Sequence, residues 1–180
     1  FLKLSCKIGE LMADAASISV TATILPDEIA KTLDAVTVTV TPSGASEQWW
    51  YGLVNVTTTS GDLIAGNFLS LSAGKTRASA MSAITTADDL VRFLFIKNTG
   101  TTDGSSTTDE AINICFDGGT AAYNLADSIE IGPGEVWFGK LPNTTVANIH
   151  AISVDSNMAG TGSAGEGNVQ CMVAAIIKEV

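Results

Sequence analysis

The sequence has few charged residues, and this scarcity limits what its surface can be made of. Only 16% of the 180 residues are Asp, Glu, Lys or Arg, whereas soluble globular proteins average about 25%. Serine, threonine, asparagine and glycine must therefore supply most of the polar surface. A surface of this kind is unusual for a soluble monomer, which normally carries more charge, and it is common in β-proteins that assemble.

Positive charge is the scarcer of the two signs. Nine Lys and Arg residues stand against nineteen Asp and Glu residues, which gives a formal net charge of −10. The phosphates of DNA or RNA would repel such a chain, and so would an anionic membrane surface. We therefore expect neither nucleic acid nor membrane among its partners.

Cysteine is sparse and its spacing fits no known framework. The three cysteines are Cys6, Cys115 and Cys171, with no Cys-x-x-Cys pair. An odd and scattered set does not form a disulfide scaffold, and a chain of this length does not need one. We predict buried thiols. A single Cys115–Cys171 disulfide is the alternative, because both residues lie in predicted strands.

Long apolar runs are absent as well. No run approaches the ~18 residues of a membrane span, and two lysines interrupt residues 1–8 where a signal peptide needs an apolar core. We therefore expect a soluble protein made in a cytoplasm. Hydrophobic residues still make up 46% of the chain, enough for one domain with a substantial core. We predict a single domain over residues 1–180.

The sequence has one histidine, His150, so any His-dependent catalytic or zinc site would have to use it. Its neighbours Ile149, Ala151 and Ile152 are apolar, and no nucleophile elbow accompanies it. One histidine without cysteine pairs does not make a zinc site. We predict a structural role for His150, no catalytic, cofactor-binding or metal-binding residues, and no enzymatic activity.

The acidic residues give only weak signals for chemistry. The adjacent pairs Asp88-Asp89 and Asp109-Glu110 could supply the two carboxylates of a glycosidase, but we predict that both are solvated loop edges. The polar loop 98–110 has acids and hydroxyls that could bind calcium. It lacks the spacing and closing glutamate of an EF-hand, so we predict a solvated loop and leave calcium open.

Short apolar and alternating segments dominate the chain and predict β-strands. Residues 90–97 are apolar on both faces, which favours a central strand. Residues 112–117 alternate apolar and polar side chains, as a strand with one buried face does. Gly132-Pro133-Gly134 then forces a tight turn, so the strands on either side of it must be antiparallel. The predicted strands are 18–24, 36–40, 47–57, 78–84, 90–97, 111–117, 128–131, 135–138, 146–154 and 169–177.

About ten short strands with turn signals between them predict an all-β fold, an antiparallel β-sandwich that is jelly-roll-like. Leu25–Leu33 is the one short helix candidate, because Pro26 suits a first helical turn and Ile29 and Leu33 share a face. We expect a turn at Pro142-Asn143. Residues 1–16 are predicted to be an arm or edge strand, and residues 155–168 a flexible loop or β-arm.

Trp49-Trp50-Tyr51 is the aromatic cluster of the sequence. In a strand, Trp50 faces away from Trp49 and Tyr51, so one side fills the core and the other exposes one or two rings. These rings are candidates for a partner surface or a sugar platform, unless the protein's own loops cover both sides. The apolar residues Phe1, Leu2 and Leu4 are further interface candidates, on the N-terminal segment.

Residues 90–180 contain the segments FIKNTGT, AINICFDGG, SIEIGPGEVWFGKLPN and IHAISV. This half of the chain resembles small structural proteins of tailed-phage virions, especially those of marine and cyanobacterial phages. Similar strand and Pro-Gly-Glu turn patterns recur in their capsid decoration (cement) proteins and in neck or tail accessory proteins. The shared residues belong to turns and core, so the resemblance implies a fold more than a role.

The resemblance implies a non-enzymatic virion protein that is made in the host cytoplasm. We expect a capsid decoration protein, a homo-oligomer and most simply a trimer, that bridges subunits of the major capsid protein. The alternative within the virion is a neck, tail or fibre-adaptor component. The alternative from another class is a carbohydrate-binding module that uses Trp49, Trp50 or Tyr51.

Overall fold

The computed structural model describes residues 16–24, 31–43, 46–66, 83–122, 128–155 and 165–180. The chain divides into two compact units, Phe1–Ser43 and Gly44–Val180. The sequence-based expectation of one domain over residues 1–180 stays a prediction. The candidate segment with Phe1, Leu2 and Leu4, like most of the loop 155–168, lies outside the described residues.

The first unit contains a β-hairpin. Strand β1 covers Ala16–Ile24 and pairs antiparallel with strand β2, Lys31–Val40, with an irregularity between Val20 and Ala22. Alternation with β-branched threonine and valine favours this extended conformation. The predicted helix over Leu25–Leu33 is wrong where it can be compared, because residues 31–33 are paired strand; residues 25–30 lie outside the described residues. Cross-strand pairing outweighs the weak helical spacing of Ile29 and Leu33.

The second unit contains two four-stranded antiparallel sheets. The first sheet has the order β3-β10-β5-β8 and the second the order β4-β9-β6-β7. The strands are β3 Glu47–Val56, β4 Gly61–Asp62, β5 Leu90–Asn98, β6 Ala111–Cys115, β7 Ile129–Ile131, β8 Val136–Thr145, β9 His150–Val154 and β10 Val169–Lys178. The all-β prediction is confirmed, and the apolar segments 90–97 and 169–177 form the two central strands of the first sheet.

One hydrophobic core joins the two sheets into a sandwich. Leu94 and Ile96 of β5 and Val173 of β10 meet Ile112 and Ile114 of β6 in this core, and all five are fully buried. These residues recur at every second position, because successive side chains of a strand point to opposite faces. The core is therefore made from the inward positions of both sheets.

Two local predictions near residue 145 are wrong. β8 does not end at Pro142-Asn143 but continues to Thr145, with a shift of register against β5. Asn143 takes the left-handed conformation, φ 56°, which asparagine tolerates, and its side chain accepts a 2.7 Å hydrogen bond from Arg92 Nη1. The following residues, Val146–Asn148, form a 3₁₀ turn rather than strand.

Backbone contacts explain that turn. The amide of Val146 donates to the carbonyl of Asp89, and the amide of Ala147 donates to the carbonyl of Thr86. Both partners lie in the turn before β5, so the segment cannot extend as a strand. No α-helix is found among the described residues. No helix in that part of the chain is therefore long and apolar enough to cross a membrane.

Candidate functional site

The outward positions of the first sheet form a continuous surface, which we call the outer face. The register between β3, β10, β5 and β8 places the outward residues in three rows, each with one residue from each strand. The rows are Leu53–Met172–Lys97–Val136, Tyr51–Ala174–Phe95–Phe138 and Trp49–Ile176–Phe93–Lys140. Ten of these twelve positions are apolar, so this sheet is apolar on both of its sides.

The first two rows of the outer face are partly accessible, whereas Phe93 and Ile176 in the third row are buried, at 4% and 2% exposed. Tyr51 and Leu53 are 63% and 64% exposed, and Met172 and Val136 are 48% and 46% exposed. Phe95 and Phe138 beside them are half-buried. Monomeric proteins rarely expose a large contiguous apolar patch, and such patches mark surfaces that bind a partner. The outer face is therefore the candidate functional site.

The three predicted aromatic residues separate as the alternation requires. Trp50 is 6% exposed, lies in the core and donates a 3.1 Å hydrogen bond from Nε1 to the Ala65 carbonyl. Trp49 is half-buried and packs edge-on against Phe93, with ring centroids 6.3 Å apart. Tyr51 is the exposed ring. The expectation that one side of this strand fills the core and the other shows a large ring is confirmed.

Two lysines interrupt the apolar rows. Lys97 and Lys140 are both exposed, and they occupy a position in the first row and one in the third. In the described part of the second unit, every lysine and arginine belongs to a strand of the first sheet: Arg92, Lys97, Lys140 and Lys178. The outer face is therefore apolar with added positive charge, on a chain whose net charge is −10.

The corresponding side of the second sheet is built differently, because a loop closes over it. The side-chain amide of Asn113, through Nδ2, donates to the Ala122 carbonyl, and the thiol of Cys115 donates to the Gly119 carbonyl. Ala121, which belongs to this loop, packs in a second small cluster with Cys115 and Ile152. The loop thus covers the apolar side chains on this side and accepts hydrogen bonds from Asn113 Nδ2 and the Cys115 thiol, whereas Asn113 Oδ1 is buried without a hydrogen-bond partner.

His150 lies on the same loop-covered side and is held at both ring nitrogens. Nε2 lies 3.1 Å from Oδ1 of Asp62, and Nδ1 lies 2.6 Å from the Gly119 carbonyl oxygen. In a Ser-His-Asp triad, the nitrogen away from the acid faces a nucleophile whose proton it removes. Here that nitrogen faces a carbonyl, which has no proton to give. The geometry agrees with the structural role predicted for His150.

The two acidic pairs are not simply loop edges. Asp88 and Asp109 are exposed, as predicted, but Asp89 is 1% and Glu110 7% exposed. The two oxygens of Asp89 accept hydrogen bonds from the amides of Thr85 and Val180. The prediction was wrong for Asp89 because its partner Val180 comes from the far end of the chain.

Glu110 has one satisfied and one unsatisfied carboxylate oxygen. Oε1 accepts a 2.9 Å hydrogen bond from the amide of Glu166, whereas Oε2 is buried without a hydrogen-bond partner. Burial raises the pKa of Glu110, and the nearby charges of Asp155, Asp109 and Glu166 add to that direction. The carboxyl ties the segment after residue 164 to the start of β6.

In the loop 98–110, Asp103 accepts hydrogen bonds from other residues of the same loop. Oδ1 of Asp103 accepts hydrogen bonds of 2.8 and 2.7 Å from the amides of Ser105 and Ser106, and these bonds lower the pKa of Asp103. Thr101 and Thr107 form a bridge across the loop. Among the described residues, no group of three or more His, Cys, Asp or Glu side chains could hold a metal ion.

The cysteines in the described ranges are thiols. Cys115 is 1% and Cys171 0% exposed, and neither forms a disulfide. Burial raises the pKa of Cys171 to about 12. The prediction of buried thiols is confirmed for these two residues, and the Cys115–Cys171 disulfide alternative is wrong. Cys6 lies outside the described residues.

Comparison with known proteins identifies no relative: no family model, curated protein or solved structure matches this chain.

Proposed function

We propose that this chain is a non-enzymatic virion structural protein of a tailed phage, a capsid decoration protein that docks through the outer face. The observation that carries the proposal is the shared exposure of Leu53, Tyr51, Met172 and Val136 on one sheet. A partner that covers these side chains removes apolar area from water. Each Å² of apolar area covered contributes roughly 25 cal/mol before the costs of association are subtracted.

Strand connectivity supports a capsid-type scaffold. The chain crosses between the two sheets at every connection from β3 to β10 except the one between β6 and β7, which are neighbours in one sheet. Eight strands in the orders β3-β10-β5-β8 and β4-β9-β6-β7 are what two Greek keys produce, so we infer a jelly roll, an architecture common in viral capsid domains. Fold alone does not give a role, and the exposed face adds the argument for docking.

The partners in this proposal are other copies of the chain, in a trimer, and the major capsid protein. The face is suited to such contacts, since interface centres favour aromatic residues and methionine. A copy that bridges two shell subunits would oppose their separation, because separation would expose the apolar area that the contact buries on each subunit.

Mass spectrometry and immunogold electron microscopy of purified virions test the location. A decoration protein occurs in hundreds of copies over the shell, and a neck, tail or fibre-adaptor component in roughly six to a few dozen, as symmetric assembly dictates. A copy number of roughly six to a few dozen would indicate a neck, tail or fibre-adaptor component instead of a decoration protein. Absence from purified virions would overturn the proposal.

Shell binding by variants tests the face. Leu53→Ser and Met172→Ser should reduce co-sedimentation with capsids, because each removes exposed apolar area from the docking surface. Val180→Ser is the matched control: Val180 is 73% exposed and lies outside the outer face. An equal loss for all three variants, or none, contradicts docking through this face.

A carbohydrate-binding module is the second candidate, favoured by the 63% exposure of Tyr51 next to the half-buried Trp49. Aromatic rings on a flat sheet can stack on sugars. Binding on a glycan array that Tyr51→Ala abolishes and Leu53→Ser leaves intact would favour this function over docking.

A further inference from the structure

Charge is distributed unequally between the two sides of the sandwich. In the described part of the second unit, all lysines and arginines belong to the first sheet, and Lys97 and Lys140 lie on its outer face. On the outer side of the second sheet, the exposed charged residues are acids, among them Glu130 on β7 and Asp117 just after β6. Glu47 lies opposite Lys178 at one end of the first sheet, and Lys97 and Lys140 are the charged residues of the outer-face rows. Among its described residues, the unit therefore has an apolar side with added positive charge and a side whose exposed charges are acidic.

This distribution disfavours one simple way of pairing. A two-fold dimer that joins two outer faces would bring the lysines of both copies, Lys97 and Lys140, into a single interface. Like charges brought together at an interface oppose association. Contact between the outer face of one copy and the acidic side of another instead places each lysine set against carboxylates.

We propose that copies of this chain associate head to tail, with the outer face of one copy on the acidic side of the next, around Asp117 and Glu130. Apolar side chains supply the buried centre, and the lysine–carboxylate pairs select the partner surface. Such heterologous contacts close into a ring when the rotation between copies closes, and otherwise extend as a chain. This inference rests on the proposed docking function and assigns the outer face to contacts between copies, so a variant of that face weakens shell binding through loss of the oligomer.

Two charge variants separate the contact surfaces. Lys97→Glu with Lys140→Glu reverses the outer face and leaves the acidic side intact. Glu130→Lys with Asp117→Asn alters the acidic side and leaves the outer face intact. Asparagine can still accept the hydrogen bond that Oδ1 of Asp117 takes from the Gly119 amide. Asp88→Lys, an exposed residue in the turn before β5, is the matched control for charge reversal.

Native mass spectrometry and light scattering of the 180-residue chain give the result. Wild type and Asp88→Lys should form oligomers of the 18.5 kDa subunit that dissociate as salt rises, because salt screens exposed charges. Each double variant alone should be monomeric. Their equimolar mixture should form assemblies that contain both variants, from a heterodimer upward, because the intact outer face of one variant fits the intact acidic side of the other and the two altered surfaces are again of opposite charge. Circular dichroism confirms that both variants are folded, and a misfolded pair is replaced by Lys97→Gln with Lys140→Gln and by Glu130→Gln alone.

Other outcomes overturn the inference. A wild type that stays monomeric, variants that keep the wild-type oligomers, or a mixture that forms no assembly containing both variants each exclude this contact. The proposed function is judged separately by finding the chain in purified virions. A chain that is present in virions and fails the mixing test keeps its function and loses this mode of association, and the converse result loses the function alone.

Discussion

Nε2 of His150 lies 3.1 Å from Oδ1 of Asp62, and this pair links β9 to the two-residue strand β4. Only two residues of β4 pair with β9, and the side-chain contact adds a solvent-exposed link at this edge of the second sheet. The pair also fixes the imidazole, whose other nitrogen holds the Gly119 carbonyl of the covering loop.

Asp62→Asn should therefore destabilise the protein only slightly. The carboxylate is 52% exposed, and a side-chain pair that solvent screens contributes about 0.2–1 kcal/mol. Chemical denaturation measures the change, with Asp117→Asn as a control on the same side. A decrease of more than about 2 kcal/mol in the free energy of unfolding would contradict the expectation that this solvent-screened pair is weak.

Glu110→Gln should stabilise the protein at neutral pH. The folded state raises the pKa of Glu110, chiefly by burial, so the stability that Glu110 contributes is fully present below its unfolded pKa. That contribution is lost as pH rises through the raised folded pKa. Glutamine stays neutral and avoids the loss. Urea denaturation between pH 4 and pH 8 should show wild type falling relative to the variant. Curves that stay parallel over this range would contradict the assignment.

Gly165→Ala should destabilise the protein by about 1–3 kcal/mol, as overpacking of a buried site does. A Cβ at this position would overlap Ser153 Oγ and come within 2.9 Å of Glu110 Oε2. Gly167→Ala is the matched control, because a Cβ there would have no atom within 4 Å. Thermal unfolding distinguishes the two, and equal melting temperatures would rule out a tight site at Gly165.

Asn98→Ala should cost about 2–3 kcal/mol. Asn98 is fully buried, and its Nδ2 donates to the carbonyls of Glu110 and Ile131 while its Oδ1 accepts from the Gly100 amide. Alanine leaves these backbone groups without that partner in a dry environment, which is expensive. Chemical denaturation checks the value, and Asn55→Ala on an exposed position of β3 should change it little.

Local sequence patterns predicted most of the strands. Alternation predicted residues 36–40, and short apolar runs predicted 90–97 and 169–177; all three proved to be strand. Predictions failed where distant segments decide the local conformation. Residues 31–33 pair with β1, Val146–Asn148 is held by Thr86 and Asp89, and Asp89 is buried by Val180.

The outer face was visible in the sequence only in part. The aromatic triplet predicted that one side of its strand would expose a large ring, without indicating which side. Nothing near it indicates that Leu53 lies beside Met172, more than a hundred residues later. That neighbourhood depends on strand order, which periodicity does not contain. The apolar residues on both faces of β5 and β10 were the available signal that this sheet needs cover on two sides.

The central position of β10 has a consequence for synthesis. Both β3 and β5 hydrogen-bond to β10 along nearly its whole length, yet β10 is the last strand of the sandwich to leave the ribosome. Until residues 169–178 emerge, two long apolar strands present unsatisfied backbone edges, the feature that invites wrong pairing between nascent chains. Closing the first sheet therefore waits for residues 169–178, and deletion of these residues would leave the first sheet in two pieces.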